Sequence, residues 1–360
     1  MKKTLLALAA VALMAPFGFA QNINKNEAKA LLSFISQAGS NGESNSRSLG
    51  LSDKLSANSL AGVEGVKTSN GHVTEIDWNG KGLAGNLDLS NFPNLEKVNV
   101  SGNRLTSLTL GNNPVLVDVN ASRNRITELN ISNCPQLQVL RVNHNRLADM
   151  DLTAVPFLKK LNIAGNQFEA LDVTNAPNLE SLNCFNNRLV NLSVAGSQKL
   201  KNLYAGYNEL TGIDLTGCVS LQNMNLNGNK IQNLYLQDLP SLTTLLCSDN
   251  HMTALVFKDC KAINDIWAPY NDLETFQVGN AQQLAFVNVA WNDLTTLDLS
   301  NLNFIQRINA SNNQLVTVNV TNDPMLTTLN VANNYMLSTI NWEMCPMLRN
   351  VIGDNEWDNL

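Results

Sequence analysis

Leucine and other apolar residues recur along most of the chain at a fixed spacing of 21 residues. The shared frame is L-x-x-L-x-L-x-x-N-x-L, with Val or Ile at some of the leucine places, and a second apolar set follows it. Its asparagine stands at twelve stations: Asn103, Asn124, Asn145, Asn166, Asn187, Asn208, Asn229, Asn250, Asn271, Asn292, Asn313 and Asn334. Such a period predicts a stack of identical units, each too small to bury its apolar face alone.

The middle of each unit alternates apolar and polar residues, as in Val98, Asn99 and Val100. Period-two alternation predicts a short strand. Fourteen units are expected, and the irregular outer two, near Val73 and Leu348, are set off by one-residue insertions. Fourteen parallel strands about 4.8 Å apart would form a ribbon of roughly 60 Å.

From about Val73 to the C-terminus, these units resemble the short leucine-rich repeats of bacterial internalin-like surface proteins. The resemblance implies a leucine-rich-repeat solenoid. This is a curved right-handed stack with a parallel β-sheet on the concave face, an irregular or extended convex side and a small helical N-terminal cap. It also implies a binding or adhesion function. Internalin-like repeats can carry a cysteine ladder at the strand position, where this chain has Cys184 and Cys247.

Three segments are predicted from the ends of the chain. Residues 1–20 have two lysines, an apolar run and Gly18-Phe19-Ala20, which is typical of a signal peptide cleaved after Ala20. Residues 21–72 are expected to form an N-terminal cap, partly helical. Residues 73–360 are expected to form the repeat domain, whose C-terminal end is closed by Trp342 and Trp357, by a partner or by a second copy of the chain.

The predicted helix of the cap spans residues 25–37. Ala28, Leu31, Leu32 and Ile35 share one face at helical spacing, which predicts that this face packs on the end of the stack. A Gly/Ser/Asn-rich stretch follows from Gly39. The cap covers the first strand, because an open strand edge invites aggregation.

The formal net charge of −6 argues against nucleic acid and anionic lipid as partners, because both require a basic surface. The polar C-terminus and the signal peptide together predict a protein that is soluble outside the cytoplasm and is not inserted in a membrane. The compartment is the periplasm, the cell surface or the medium.

Six cysteines in an exported chain raise the question of disulfides. Cys184 and Cys247 share a strand place three units apart, about 14 Å by strand spacing, whereas a disulfide needs Cα atoms within about 7 Å. The other four share a different place, and no two of them lie in adjacent units: Cys134, Cys218, Cys260 and Cys345. All six are therefore predicted to be small core residues, and no metal site or cofactor is expected.

Two series of asparagines have structural interpretations. The repeated asparagine is predicted to hydrogen-bond backbone groups of the loop inside the stack, which burial would otherwise leave unsatisfied. Places within a unit are counted from the first leucine of the frame, such as Leu95. A second series occupies the fifth place of eight units: Asn99, Asn120, Asn162, Asn183, Asn225, Asn288, Asn309 and Asn330. We expect the amides of neighbouring units to hydrogen-bond one another along the stack.

No catalytic site is expected. His72, His144 and His251 do not stand beside a nucleophile by phase, and the common motifs of hydrolases, nucleotide-binding proteins and metalloproteases are missing. Function must be argued from a site, and the sequence offers none with this chemistry.

The third, fifth, seventh and eighth places of each unit are predicted to point outward from the concave face. In units six to eleven these places hold the candidate ligand-binding residues Phe185, Tyr204, Tyr207, Leu246, Trp267, Tyr270, Phe286 and Trp291. Aromatic residues exposed together usually mark an interaction surface. The alternative is that some of these rings tuck sideways against neighbouring leucines.

The outward charges differ between the two halves of the array. Earlier units present Lys97, Arg123, Arg141, His144 and Lys160. The place after the repeated asparagine holds arginine early and acids later: Arg104, Arg125 and Arg146, then Glu209, Asp272 and Asp293. Such charges usually serve solubility, but a polarised rim could also orient a charged partner.

These patterns predict a binding protein that recognises a protein partner through the concave face. A host protein is one candidate for that partner. One alternative is a glycan ligand stacked on the aromatic residues. Another is a purely structural component of a surface assembly. Glycan binding predicts saturable affinity that is lost with the aromatic residues, whereas protein adhesion predicts a recoverable partner.

Overall fold

The computed structural model describes residues 23–39, 42–51, 60 and 63–354. The predicted signal peptide and its cleavage point lie outside the described residues, and so does Trp357. Trp342 lies within them and packs, partly buried, against the end of the core.

Within the described residues, two helices precede the repeats, α1 (Lys25–Ile35) and α2 (Asn45–Ser48). The side chain of Asn24 caps α1 by accepting a hydrogen bond from the Asn26 N–H at 2.9 Å. Ala28, Leu31 and Ile35 are fully buried, as predicted for the helical cap, while Leu32 is only partly buried. The sequence pattern missed Phe34, whose ring stacks on Trp78 with the two centroids 5.9 Å apart.

The cap joins the repeats through a hairpin. Strand β1 (Val66–Ser69) pairs antiparallel with β2 (His72–Asp77), the first strand of the repeat array. The Glu27 carboxylate of α1 accepts hydrogen bonds from the Val73 N–H at 2.8 Å and from His72 Nδ1 at 2.7 Å. Helix and hairpin thereby cover the first edge of the sheet, which would otherwise be open to another chain.

A fifteen-stranded main sheet runs the length of the molecule. After β2 its strands are all parallel, one per unit: β4 (Lys97–Asn99), β6 (Asp118–Asn120), β8 (Val139–Arg141), β9 (Lys160–Asn162), β11 (Ser181–Asn183), β13 (Asn202–Tyr204), β14 (Asn223–Asn225), β16 (Thr244–Leu246), β18 (Asp265–Trp267), β20 (Phe286–Asn288), β22 (Arg307–Asn309), β24 (Thr328–Asn330) and β26 (Asn350–Ile352). With β2 there are fourteen parallel strands, as the repeat count predicted, and they bracket thirteen turns of a solenoid.

The other side of the solenoid is only partly strand. Four short parallel sheets lie there, with two or three strands each. Their strands are β3 (Ala84–Asp88), β5 (Arg104–Thr109) and β7 (Glu128–Asn130); β10 (Ala170–Asp172) and β12 (Asn191–Ser193); β15 (Asn233–Gln237), β17 (Ala254–Lys258) and β19 (Thr275–Gln277); β21 (Thr296–Asp298), β23 (Thr317–Asn319) and β25 (Thr339–Asn341). This is the irregular or extended convex side that was predicted.

The repeated asparagine ties each unit to the one before it. Asn145 Nδ2 donates to the carbonyls of Val142 and of Ala121, both at 2.9 Å. Its Oδ1 accepts from the Ile126 N–H at 2.9 Å. The other eleven stations repeat this pattern, for example Asn292. The structural role predicted for this series is confirmed.

The cysteines are free, as predicted. Cys184 and Cys247 are fully buried in the core, and burial raises the pKa of the Cys184 thiol to about 12. The thiol of Cys134 lies 2.8 Å from the Leu110 carbonyl, and Cys345 Sγ lies 2.9 Å from that of Val320. Five of the cysteines are buried, as predicted for small core residues, whereas Cys345 is only partly buried against the core.

Two further observations concern only the part of the chain that the structure describes. No helix there has the length and apolar character needed to cross a bilayer. No group of three or more His, Cys, Asp or Glu side chains there is arranged to hold a metal ion.

Candidate ligand-binding surface

Side chains along each strand of the main sheet alternate between the core and the outer face of the sheet. In β4 the central Val98 is 2% exposed, while Lys97 and Asn99 on either side of it face away from the core. The other three-residue strands of the sheet repeat this alternation. The third and fifth places of the units therefore form the outer face of the sheet, and the seventh and eighth places follow in the turn after each strand.

The fifth-place asparagines do not hydrogen-bond as predicted. In each of the eight, Oδ1 accepts from the backbone N–H two residues later, as between Asn183 and Phe185 at 3.1 Å. Bonding between neighbouring rungs was expected instead, and in the described part of the chain it is found only from Asn99 to Asp77, at 3.0 Å. The short side chain closes a local turn more readily than it reaches a neighbouring strand.

The eighth place of every unit from the first to the thirteenth has a left-handed backbone, with φ between 53° and 67°. Glycine, asparagine and aspartate reach this region at low cost. They occupy it in eight units: Gly80, Gly102, Gly165, Asn186, Gly228, Asp249, Asn312 and Asn333. The other five units hold bulkier residues: Arg123, His144, Tyr207, Tyr270 and Trp291. Each of those costs on the order of 1 kcal/mol of backbone strain, so the backbone does not explain the choice of residue.

The eight candidate residues form two groups separated by unit eight. The first group is Phe185, Tyr204 and Tyr207. The Phe185 and Tyr207 rings meet edge to face, with the centroids 5.0 Å apart. The Tyr207 ring also lies against Gly228 of the next unit, where an added Cβ would come within 3.0 Å of Cδ1.

The second group is Leu246, Trp267, Tyr270, Phe286 and Trp291. The Tyr270 and Trp291 rings stack, with their centroids 5.8 Å apart and their planes within 18°. The Arg307 guanidinium lies 6.0 Å from the centroid of Phe286. Asp265 is in register with Phe286, and partial burial raises the pKa of its carboxyl.

The eight residues differ in how far they are exposed. Phe185, Leu246 and Phe286 are half-buried, as sideways packing requires. The other five remain exposed: Tyr204 by 38%, Trp267 by 45%, Tyr207 and Trp291 by 53% and Tyr270 by 58%. We call the eight together the aromatic surface. Its five exposed rings leave a large apolar area on the sheet side of the solenoid.

The tenth place of the units forms a rim beside the sheet. Along the array, the side chains of this rim change both in the sign of their charge and in whether they are paired. In its later half, acidic side chains have partners in the next unit: Lys230 forms a salt bridge with Glu209 at 3.0 Å, and Gln314 donates a hydrogen bond to Asp293 at 2.7 Å. In its earlier half, Arg125 and Arg146 are exposed. Neither makes a salt bridge within the described residues.

A shallow groove lies between the basic residues of the earlier units and the aromatic surface. It has a volume of about 500 Å³ and runs across units four to seven. Its lining includes His144, Asn162, Asn183, Phe185 and Tyr204. The His144 ring packs over Gly165 of the next unit, in the same way as Tyr207 packs over Gly228.

Sequence reasoning placed the outward residues but missed the left-handed eighth place. The recurrence of Gly and Asn there, for example at Gly102, Gly165 and Asn312, is a signal that could have revealed it. It also missed the split of the aromatic surface. Unit eight presents Asn225, Asn227 and Gly228 at its outward places, which leaves a gap between the two groups.

Comparisons with known proteins bear on the fold. No family model and no curated protein matches the sequence. Solved structures do match. The leucine-rich effector YopM from Yersinia pestis is 25% identical with a TM-score of 0.56, over 74% of this chain and 76% of that one. The chain has the leucine-rich-repeat fold.

Two further structures agree. An internalin, inlF, from Listeria monocytogenes is 19% identical with a TM-score of 0.51, and the match covers 76% of this chain and 91% of that one. The leucine-rich-repeat domain of APL1B is 22% identical with a TM-score of 0.55, over 64% and 70% of the two chains. At these identities the likeness concerns the fold alone.

Proposed function

We propose that this protein is an extracytoplasmic binding protein that recognises a protein partner through the aromatic surface. One observation carries the proposal. Tyr207, Tyr270 and Trp291 stand, half-exposed, at places where the backbone favours glycine or asparagine. Residues that cost folding energy and remain open to solvent are best explained by a contact made outside the chain.

The arrangement of the rings favours a protein over a glycan. Tyr270 and Trp291 stack on one another, and Tyr207 lies on Gly228, so each of these rings has part of a face covered. Sugars stack on open ring faces, whereas proteins also use ring edges together with the tyrosine hydroxyl and the indole N–H. Trp267 and Tyr204, at the fifth place, are the residues on which a glycan would have to stack.

The fold supports an interaction role in a general way, since the matching solved structures include an effector and an internalin. The location outside the cytoplasm rests on the predicted signal peptide. A structural component of a surface assembly is the remaining alternative. It would not require exposed rings at strained positions.

The test compares residues 21–360 with the Trp267→Ala/Trp291→Ala variant on host-protein and glycan arrays. Tyr335→Ala is the matched control, because Tyr335 is 83% exposed but lies outside the aromatic surface. We expect a protein ligand whose binding is lost in the double variant and kept in the control. A glycan ligand lost in the same way would move the proposal to glycan recognition. Ligands bound equally by all three proteins would place the site elsewhere.

A further inference from the structure

The earlier units carry a cluster of positively charged side chains that are not paired in salt bridges within the described residues. We call it the basic strip, and it consists of Arg123, Arg125, His144, Arg146 and Lys160. All five side chains are exposed. Within the described residues none of them forms a salt bridge, although Arg141 close by is bridged to Asp118 at 2.8 Å. The charges are therefore available to a ligand.

The strip is unfavourable for the isolated chain. Arg125 and Arg146 occupy the same place in adjacent units, whose strands β6 and β8 pair in parallel, so that like charges repeat at the unit spacing of about 4.8 Å. Further along the same rim, Lys230 alternates with Glu209 and the two form a salt bridge. Because the fold can accommodate opposite charges at this place, the run of arginines is not required by the fold.

The groove beside the strip adds hydrogen-bond donors. Asn162 and Asn183 each turn Oδ1 toward their own backbone, where it accepts at 3.1 Å from Ala164 and Phe185. This leaves the amide N–H groups for an acceptor from outside. Together with His144 they line the groove of about 500 Å³. Amide and imidazole N–H groups next to arginines suit carboxylate oxygens.

We infer that the basic strip and the adjoining groove bind a carboxylate-rich segment of the protein partner, an inference that rests on the proposed function. The groove ends at Phe185 and Tyr204 of the aromatic surface. A polypeptide that carries acidic residues followed by apolar ones would contact both regions in sequence. The protein's own net charge of −6 lies mostly elsewhere, so the strip gives an acidic partner a defined place to dock.

The probe is poly-L-glutamate, and its binding to residues 21–360 is measured by fluorescence anisotropy at low and at raised salt. Arg125→Glu/Arg146→Glu is the test variant, with Arg125→Gln/Arg146→Gln as a milder second variant. Lys258→Glu/Lys261→Glu is the matched control, because it makes the same change in net charge at two exposed residues away from the sheet face. Circular dichroism checks that all of them fold.

We expect the test variant to lose affinity by about tenfold or more and to show a weaker dependence on salt, while the control stays near wild type. Three results would overturn the inference: no binding by the wild type at low salt, an equal loss in test and control variants, or binding of heparin in place of poly-L-glutamate. The Trp267→Ala/Trp291→Ala variant should still bind poly-L-glutamate. Failure of the basic strip and failure of the aromatic surface are therefore distinguishable.

Discussion

Asp323 occupies the place in the twelfth unit that Asn113 occupies in the second, but it lacks the amide that completes the hydrogen bonds of Asn113. Asn113 Oδ1 accepts from the Phe92 N–H at 3.0 Å, and its Nδ2 donates to the Leu89 and Leu110 carbonyls. Asp323 Oδ1 accepts from the Leu302 N–H at 2.8 Å, whereas its Oδ2 is buried with no partner among the described residues. Burial raises the pKa of this carboxyl to about 7.

The free energy of unfolding should therefore depend on pH through Asp323. Its folded-state pKa lies above the value of about 4 expected in the unfolded chain, so the folded state holds the proton more tightly. The contribution of Asp323 to stability is therefore greatest below about pH 4 and falls as the pH rises through about 7. Asp323→Asn should remove this loss and stabilise the protein at pH 8 by on the order of 2–4 kcal/mol.

Chemical denaturation of both proteins at several pH values measures the effect, and the gap between them should shrink toward pH 4. Asn113→Asp is the matched control, since it creates the same buried carboxyl in the second unit. It should acquire the pH dependence that Asp323→Asn loses. Parallel pH profiles for wild type and Asp323→Asn would show that Asp323 does not control stability.

The left-handed eighth place predicts a stabilising substitution. Arg123 has φ of 56° and no salt bridge among the described residues. Asparagine tolerates this backbone region, so Arg123→Asn should raise the free energy of unfolding by about 0.5–1 kcal/mol. Arg125→Asn is the control, because Arg125 is two residues away and does not have a positive φ. Denaturant midpoints report both, and an equal gain in the two variants would point to relief of charge repulsion and not of backbone strain.

Much of the fold was predictable because the period determines which side chains point inward. Val98 and the residues at the same place of the later units are buried, as the 21-residue period requires. The spacing of Cys184 from Cys247 excluded a disulfide between them. The bonding of the fifth-place amides was not predictable, because it depends on a backbone turn that the spacing does not specify. Asp323 escaped notice because its place holds an apolar residue or cysteine in most other units, such as Cys134, Ala176 and Leu239, and hydrophobic phase alone does not reveal an orphaned oxygen.

The two series of asparagines should differ in their contribution to stability. Asn145 makes three hydrogen bonds to backbone groups inside the stack. Asn145→Ala leaves those groups buried and unpaired and should cost about 2–4 kcal/mol. Asn120 is half-buried at the fifth place and bonds within its own turn, so Asn120→Ala should cost about 1 kcal/mol or less. Thermal denaturation compares them, and equal losses would mean that the buried asparagine holds the units together no better than the outer one.

Gly228 links the packing of the solenoid to the aromatic surface. It has φ of 63°, and an added Cβ would come within 3.0 Å of the Tyr207 ring. Gly228→Ala should therefore both strain the backbone and push the ring aside. Gly196 is the matched control, since it has φ of 78° but no atom within 4 Å of an added Cβ.

We expect Gly196→Ala to cost about 1 kcal/mol through backbone strain alone. Gly228→Ala should cost about 1 kcal/mol more, because the ring loses its position against Gly228 and Phe185. Only Gly228→Ala should weaken binding of the partner found on the arrays, by several-fold. If both variants kept full binding while Gly228→Ala showed the larger loss of stability, Tyr207 would be a packing residue, and the contact with the partner would have to be made by the group around Trp267 and Trp291.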